Sequence, residues 1–303
     1  MPDYGHPLRF AANVIPAARD PAAVVALAQE AERAGLDLVT FQDHPYQPAF
    51  LDTWTLLGYV AAATARIHLA GNVHPIPLRP PAVLARAAAS LDLLSGGRLE
   101  LALGAGGLRD AITAMGGPRR SPGEAVEALE EAIGVIRASW DTGAPGPIRF
   151  EGRHYRVNGL ARGPRPAHDI AIWVGAYKPR MLRLVGRLAD GWLPSLPSLG
   201  HPDALARGNA VIDEAAAEAG RSPRDVRRLL NLGREAPAEL LAGLALDHGV
   251  SVFTLMTDDP GQIRRLAAET APAVRELVAA GRARRGPGRP PDHLVPGRGS
   301  HPG

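Results

Sequence analysis

Eight short apolar runs, each leaving room for a helix before the next, constrain this chain more than any other feature. They occupy residues 8–14, 36–42, 67–73, 98–104, 170–175, 191–196, 226–232 and 250–256. Apolar runs that alternate with helical patterns mark parallel βαβ units, and eight of them match a closed barrel better than an open sheet. An open doubly wound sheet would also carry a GxGxxG turn after its first strand, whereas here that strand runs out in Asn13-Val14-Ile15-Pro16. The expected fold is α/β, a (β/α)8 TIM barrel. Such barrels hold about 250 residues as one domain, so residues 1–280 are expected to form a single unit.

Helix punctuation agrees with this reading. Asp20-Pro21 predicts an N-cap followed by proline at the first helical position, and Gly35 a C-terminal stop. Val24, Leu27, Ala28 and Ala31 form one apolar stripe between them. Ser121-Pro122-Gly123-Glu124 reads as a capping box. Asp259-Pro260 is expected to open the last helix and Gly281 to close it. Residues 141–169 form an insertion between the fourth helix and fifth strand, too long and too rich in Gly and Pro for a simple turn. Within it, 148–150 and 154–157 flank Glu151-Gly152-Arg153 and suggest a small hairpin. Residues 105–120, after the fourth strand, leave the face where barrel active sites lie and are a candidate lid.

Charge and composition narrow the function classes. Residues 281–303 carry five Arg against one Asp, so the chain's net +3 belongs to this segment and residues 1–280 hold a net −1. A Pro/Gly/Arg segment of this kind builds no core and is expected to be a disordered basic tail, with no nucleic-acid partner implied. Cysteine is absent, which removes disulfides, thiolate metal sites and a cysteine nucleophile together. No metal-ligand set is proposed. Without a signal-like start or a membrane-length apolar run, a cytoplasmic location with no membrane partner is the default expectation.

Chemistry in a barrel is expected at the C-terminal ends of strands. The second strand ends in Asp43-His44, where imidazole, with an ordinary pKa of about 6.5, can exchange protons near neutrality. The plainer alternative is a structural Asp beside an exposed His. The third strand ends in Gly71-Asn72-Val73-His74-Pro75, followed by Pro77 and Arg79-Pro80-Pro81, which also suits a rigid turn. The fourth ends in Gly104-Ala105-Gly106-Gly107, glycines that would admit a ligand. The fifth passes through Gly175-Ala176-Tyr177-Lys178 into a helix whose N-terminus suits a phosphate, with Lys178 either adding a full charge or merely solvated.

Taken together, these segments resemble the luciferase-like monooxygenase family. LRPPAVLARAAASLDLLSGGRLELALGAG, residues 78–106, resembles the family's third-helix and fourth-strand signature, and IWVGAYKPRMLRLVGRLADGW, residues 172–192, its cofactor-phosphate segment. The resemblance covers roughly residues 8–280. It implies a reduced flavin mononucleotide (FMN) or the deazaflavin coenzyme F420 in the barrel mouth, with Asp43-His44 leaning toward F420. It further implies a non-prolyl cis peptide at Asn72-Val73, a ring or ribityl contact from Asp43, and a catalytic role for His44. Gly104 and Gly106 would line the ring pocket; Gly175, Ala176 and Lys178 would line the phosphate pocket. Gly107-Leu108 stands where deazaflavin-dependent members often carry an acid. The resemblance also implies a small-molecule substrate and a homodimer. The alternatives are a non-catalytic flavin-binding barrel, a metal-dependent hydrolase, for which the first strand lacks His-x-His, and a Schiff-base aldolase, for which the sixth strand lacks lysine.

Overall fold

The computed structural model describes residues 3–201 and 203–285. Its main sheet consists of β1 (Arg9–Val14), β2 (Leu38–Phe41), β3 (His68–Gly71), β4 (His74–Pro75), β5 (Leu101–Gly104), β8 (Ile172–Val174), β9 (Gly191–Trp192), β10 (Arg227–Leu232) and β11 (Val250–Met256). All neighbours are parallel, in the order β3-β2-β1-β11-β10-β9-β8-β5-β4, and a further parallel bridge from Leu69 to Leu99 closes the ring. Each of the eight apolar runs contains a strand. The strand of the third run is interrupted after Gly71 and resumes just beyond the run as β4, which makes nine strands in all.

Helices α1 (Pro21–Ala34), α2 (Thr53–Ala63), α3 (Pro81–Ser95), α4 (Arg109–Ala114), α5 (Pro122–Trp140), α6 (Pro179–Leu188), α7 (Ala204–Glu218), α8 (Ala238–His248), α9 (Pro260–Arg265) and α10 (Ala271–Arg285) cover the outside. Local chemistry sets their ends. The Asp20 carboxylate accepts the Ala23 N–H at 3.0 Å, and Gly35 takes the left-handed conformation at φ 91° that an L side chain would resist. Ser121 and Glu124 complete the reciprocal capping box.

The last helix corrects one expectation. Gly281 does not close it: after a π turn at Leu266–Thr270 the helix runs on to Arg285. Gly281 is buried, and a Cβ placed on it would lie 2.4 Å from Leu246 Cδ1. The residue is small because α10 packs closely on α8, a requirement that a sequence displays in the same way as a stop. The first five residues of the expected tail are therefore helical, and 286–303 lie outside the described residues.

Between α5 and β8, strands β6 (Ile148–Glu151) and β7 (Arg156–Leu160) pair antiparallel. Glu131 on α5 accepts the backbone N–H groups of Arg153, His154 and Tyr155 at 2.8–2.9 Å, which ties the hairpin turn to the helix.

Two apolar clusters hold the barrel together. The larger joins the outward strand faces to the helices. The smaller fills the lumen and takes one buried residue from each of the eight strand segments: Ala11, Leu38, Ala70, Ala102, Trp173, Leu193, Leu229 and Val252. Four of the other seven positions in this set hold alanine or valine, which gives the Trp173 indole the space it needs; Gly191 is tighter still, since a Cβ there would lie 2.5 Å from Trp173 Cδ1. Two residues earlier along the strands stand Arg9, His68, Glu100 and Arg227; two residues later stand Asn13, Thr40, Asn72, Gly104, Gly175 and Asn231. The period-2 alternation of strands thus stacks the lumen as an ionic base, an apolar middle and a polar top.

Candidate active site

At the polar top of the lumen lies a cleft of about 750 Å³, within the size range of small-molecule sites. Asp43, His44, Asn72, Val73, Gly104, Gly106, Gly175, Ala176 and Lys178 all border it. The strand-end reading therefore brings every singled-out residue to one place. Among the described residues, no group of three or more His, Asp or Glu is arranged to hold a metal.

The wall beneath the cleft is backbone. The Asn72–Val73 peptide bond is cis. A Cβ on Gly104 would lie 2.8 Å from Val73 Cγ2, and one on Gly175 would lie 3.6 Å from the same atom. Both strands thus approach the Val73 side chain closely, and no side chain of their own projects into the space. Gly106 has φ 86°, and a Cβ there would meet Pro77 and Ile112 at 2.7 Å, so only glycine serves. It begins the 105–120 connection, which folds over α4 and turns again at Gly116, φ 83°.

Asparagines form the floor. Asn72 and Asn231 exchange amide hydrogen bonds of 2.8 and 3.1 Å across 159 residues of sequence. The Thr40 hydroxyl donates to Asn13 Oδ1 at 2.9 Å. These amides offer donors and acceptors for ring heteroatoms and hydroxyl groups.

At one side the cleft reaches the N-terminus of α6. Lys178 occupies the N-cap position without capping the helix by its side chain, and makes no ion pair among the described residues. It is the only lysine in the chain, although Lys and Arg together number 34. The Tyr177 hydroxyl accepts the Ser195 N–H at 3.0 Å and joins this corner to the end of β9.

Asp43, at the edge of the cleft, is tied down on its inner side. Its side chain has no exposed surface. His74 Nδ1 lies 2.5 Å from Oδ2, and Arg79 donates to both oxygens at 2.9–3.1 Å while also reaching Asp52 at 3.2 Å. Burial pushes the carboxyl up, but the bond from His74 and the charges of His74 and Arg79 outweigh it and hold the pKa below the usual range. Asp43 is thus an anchored anion under the cleft that fixes the segment from His74 to Arg79.

His44, next in the chain, is half-buried. Its Nδ1 lies 2.7 Å from the Tyr46 hydroxyl. Burial lowers the imidazole pKa, with the Asp43 charge opposing only in part, so the ring is neutral near pH 7.

His74, Arg79, Tyr46, Asn13 and Asn231 therefore belong to the site without having been singled out from the sequence. A signal existed for Asn13 and Asn231, which lie two residues beyond lumen positions on their strands. Tyr46 had only its proximity to His44. Nothing local marks His74 or Arg79, whose partner is 31 or 36 residues away.

Comparison with known proteins gives a consistent result. The profile described as luciferase-like monooxygenase matches residues 6–289. A phthiodiolone/phenolphthiodiolone dimycocerosates ketoreductase of Mycobacterium sp. (strain JLS) is 36% identical over 234 residues, covering 69% of this chain and 57% of that protein. An F420-dependent glucose-6-phosphate dehydrogenase of Nakamurella multipartita is 31% identical over 239 residues, covering 75% and 67%. The chain spans about half the length of the curated ketoreductases it matches, 46–57%. Among solved structures, an F420-dependent secondary alcohol dehydrogenase in complex with an F420-acetone adduct superposes with TM-score 0.77 at 18% identity, covering 89% of this chain and 100% of that one. A long-chain alkane monooxygenase superposes with TM-score 0.75 at 13% identity, covering 89% and 92%. These two likenesses establish the shared barrel fold.

Proposed function

Because the chain belongs to the luciferase-like monooxygenase family, we propose that it is an oxidoreductase whose cleft binds reduced FMN or coenzyme F420 beside a small organic substrate. One observation carries this reading: a bare backbone wall, an amide floor, a helix N-terminus with a lysine, and a neutral imidazole all border the same cleft. These residues fit a planar ring carrying a ribityl phosphate. The glycines leave a flat face at Val73, and the cleft has the volume such a group requires.

When bound, the cofactor supplies a hydride or the activation of oxygen, and the protein supplies placement and proton handling. Asn72 and Asn231 would hold polar ring edges or hydroxyls from below. Lys178 and the free N–H groups at the start of α6 would neutralise the phosphate. Asp43, locked by Arg79 and His74, keeps the preceding strand end and β4 in fixed relation. His44 would face the reacting atoms with a proton at one ring nitrogen. F420 is the preferred cofactor in this reading, on the strength of Asp43-His44 and of the F420-dependent relative. Titration of the purified protein with each reduced cofactor, followed by fluorescence, tests it. Micromolar binding of F420 and much weaker binding of FMN is expected; binding of neither would sink the proposal.

A further inference from the structure

We propose that Tyr46 is a positioning residue that holds His44 as its Nε2–H tautomer, so that His44 meets a ligand as a hydrogen-bond donor. The proposal rests on the reading of His44 as the group at the reacting atoms.

A neutral imidazole has one donor nitrogen and one acceptor nitrogen, and the partner of one nitrogen decides the role of the other. The partner of Nδ1 is the Tyr46 hydroxyl at 2.7 Å, a short contact that holds a single proton. Two arrangements compete for it. In one, the phenol O–H donates to Nδ1 and the ring proton sits on Nε2. In the other, Nδ1–H donates to the phenol oxygen. The first is the stronger bond, because a phenol is a more acidic donor than a neutral imidazole N–H, and a ring nitrogen is a better acceptor than a phenol oxygen.

The surroundings reinforce this choice. Burial and the nearby Asp43 charge raise the Tyr46 pKa, so the phenol keeps its proton. The Asp43 carboxylate is already paired with Arg79 and His74, and burial outweighs its pull on His44, so the ring takes no second proton. Pro45 separates the two residues and limits the backbone's freedom to pull them apart. The His44 ring also lies against Phe50, with centroids 6.4 Å apart. Nε2 makes no hydrogen bond among the described residues, and His44 borders the cleft. Loss of a full proton from this tautomer would leave an imidazolate or a tyrosinate beside Asp43, both unfavourable. His44 therefore polarises an oxygen or ring nitrogen by donating a hydrogen bond, and does not act as a cationic acid.

Nitrogen-15 NMR of the full chain with labelled histidine reads the tautomer directly, without cofactor, and His44→Gln assigns its signals among the ten histidines. The expected result is protonated Nε2 and bare Nδ1 in the native protein. Tyr46→Phe should produce a mixture of tautomers and cut turnover by ~10-fold, the equivalent of one lost hydrogen bond, with cofactor affinity unchanged. A native Nδ1–H tautomer, or a tautomer unmoved by Tyr46→Phe, would overturn the proposal. If Tyr46→Phe fails to fold, the native spectrum alone decides. Full turnover in His44→Gln would instead remove the catalytic reading of His44 and leave the tautomer result standing.

Discussion

Removing the Arg79 guanidinium tests the anchored anion under the cleft most sharply. In Arg79→Met the stem is kept, while three hydrogen bonds to Asp43 and one to Asp52 are lost. The Asp52 contact is half exposed and contributes little. The Asp43 contacts are different, because its carboxylate has no exposed surface and no access to water. Breaking one side of a buried ion pair typically costs about 3–5 kcal/mol. His74 remains on Oδ2 and carries part of that load, so the lower end, about 3 kcal/mol, is expected. Asp43→Asn alone should also destabilise, since it leaves the part-buried Arg79 with only the half-exposed Asp52 as its anion. The double variant Asp43→Asn/Arg79→Met removes both charges, and a coupling of about 1–3 kcal/mol should make it more stable than the two single losses added together. Urea denaturation followed by circular dichroism gives all four stabilities. A loss below about 1 kcal/mol in Arg79→Met, the range of a surface pair, or strict additivity in the double variant, would refute the argument.

Lys178→Ala should weaken binding of either phosphate-bearing cofactor by about 10-fold, the loss of one charge-assisted contact of roughly 1.5 kcal/mol, measured by fluorescence titration. Because Lys178 is the sole lysine, amine-selective labelling there should be blocked by bound cofactor, as peptide mass spectrometry can show. Trp173→Ala should empty the middle of the lumen and cost about 3–5 kcal/mol, seen as a lower denaturation midpoint. The carboxylates of Glu100, 3.9 Å away, and of Asp92, 2.8 Å away, raise His168 to about 9 against the penalty of burial. Its contribution is thus complete below an unfolded pKa of about 6.5 and lost as pH rises toward 9, a fall of roughly 1–2 kcal/mol after allowing for partial exposure. Melting temperatures across that interval should decline in the native chain and stay flatter in His168→Gln.

The barrel was legible because its signals are local. A run of apolar residues, the Asp20 cap and the Gly35 stop each carry their meaning within a few positions, and so does the Ser121–Glu124 box. The strand ends were legible for a related reason: once a barrel is assumed, position along each strand tells which residues reach the mouth. Pairing across the mouth was not legible. His74 and Arg79 read as parts of a proline-rich turn, and only the folded chain brings them to Asp43. Asp43 reads as a ligand contact, and nothing near it in the chain shows that it is also the anchor of His74 and Arg79. Gly281 failed for a similar reason, because close packing against Leu246 and a helix stop both call for glycine.

The eight-residue ring around Trp173 has a consequence for how the two ends of the barrel communicate. Above it are the asparagines and His44; below it, Glu100 is held near pKa 2 by the neighbouring His168 and His68 rings, 3.9 and 3.5 Å away, which outweigh its burial. The side chains of the ring carry no polar atom except the indole nitrogen, so they offer no relay for a proton. Titration at the base changes how tightly the barrel is held together, and it reaches the mouth only through space, as a charge effect across the apolar layer. In a pH profile of turnover, taken where the protein stays folded, the protons exchanged with a ligand therefore belong to the mouth.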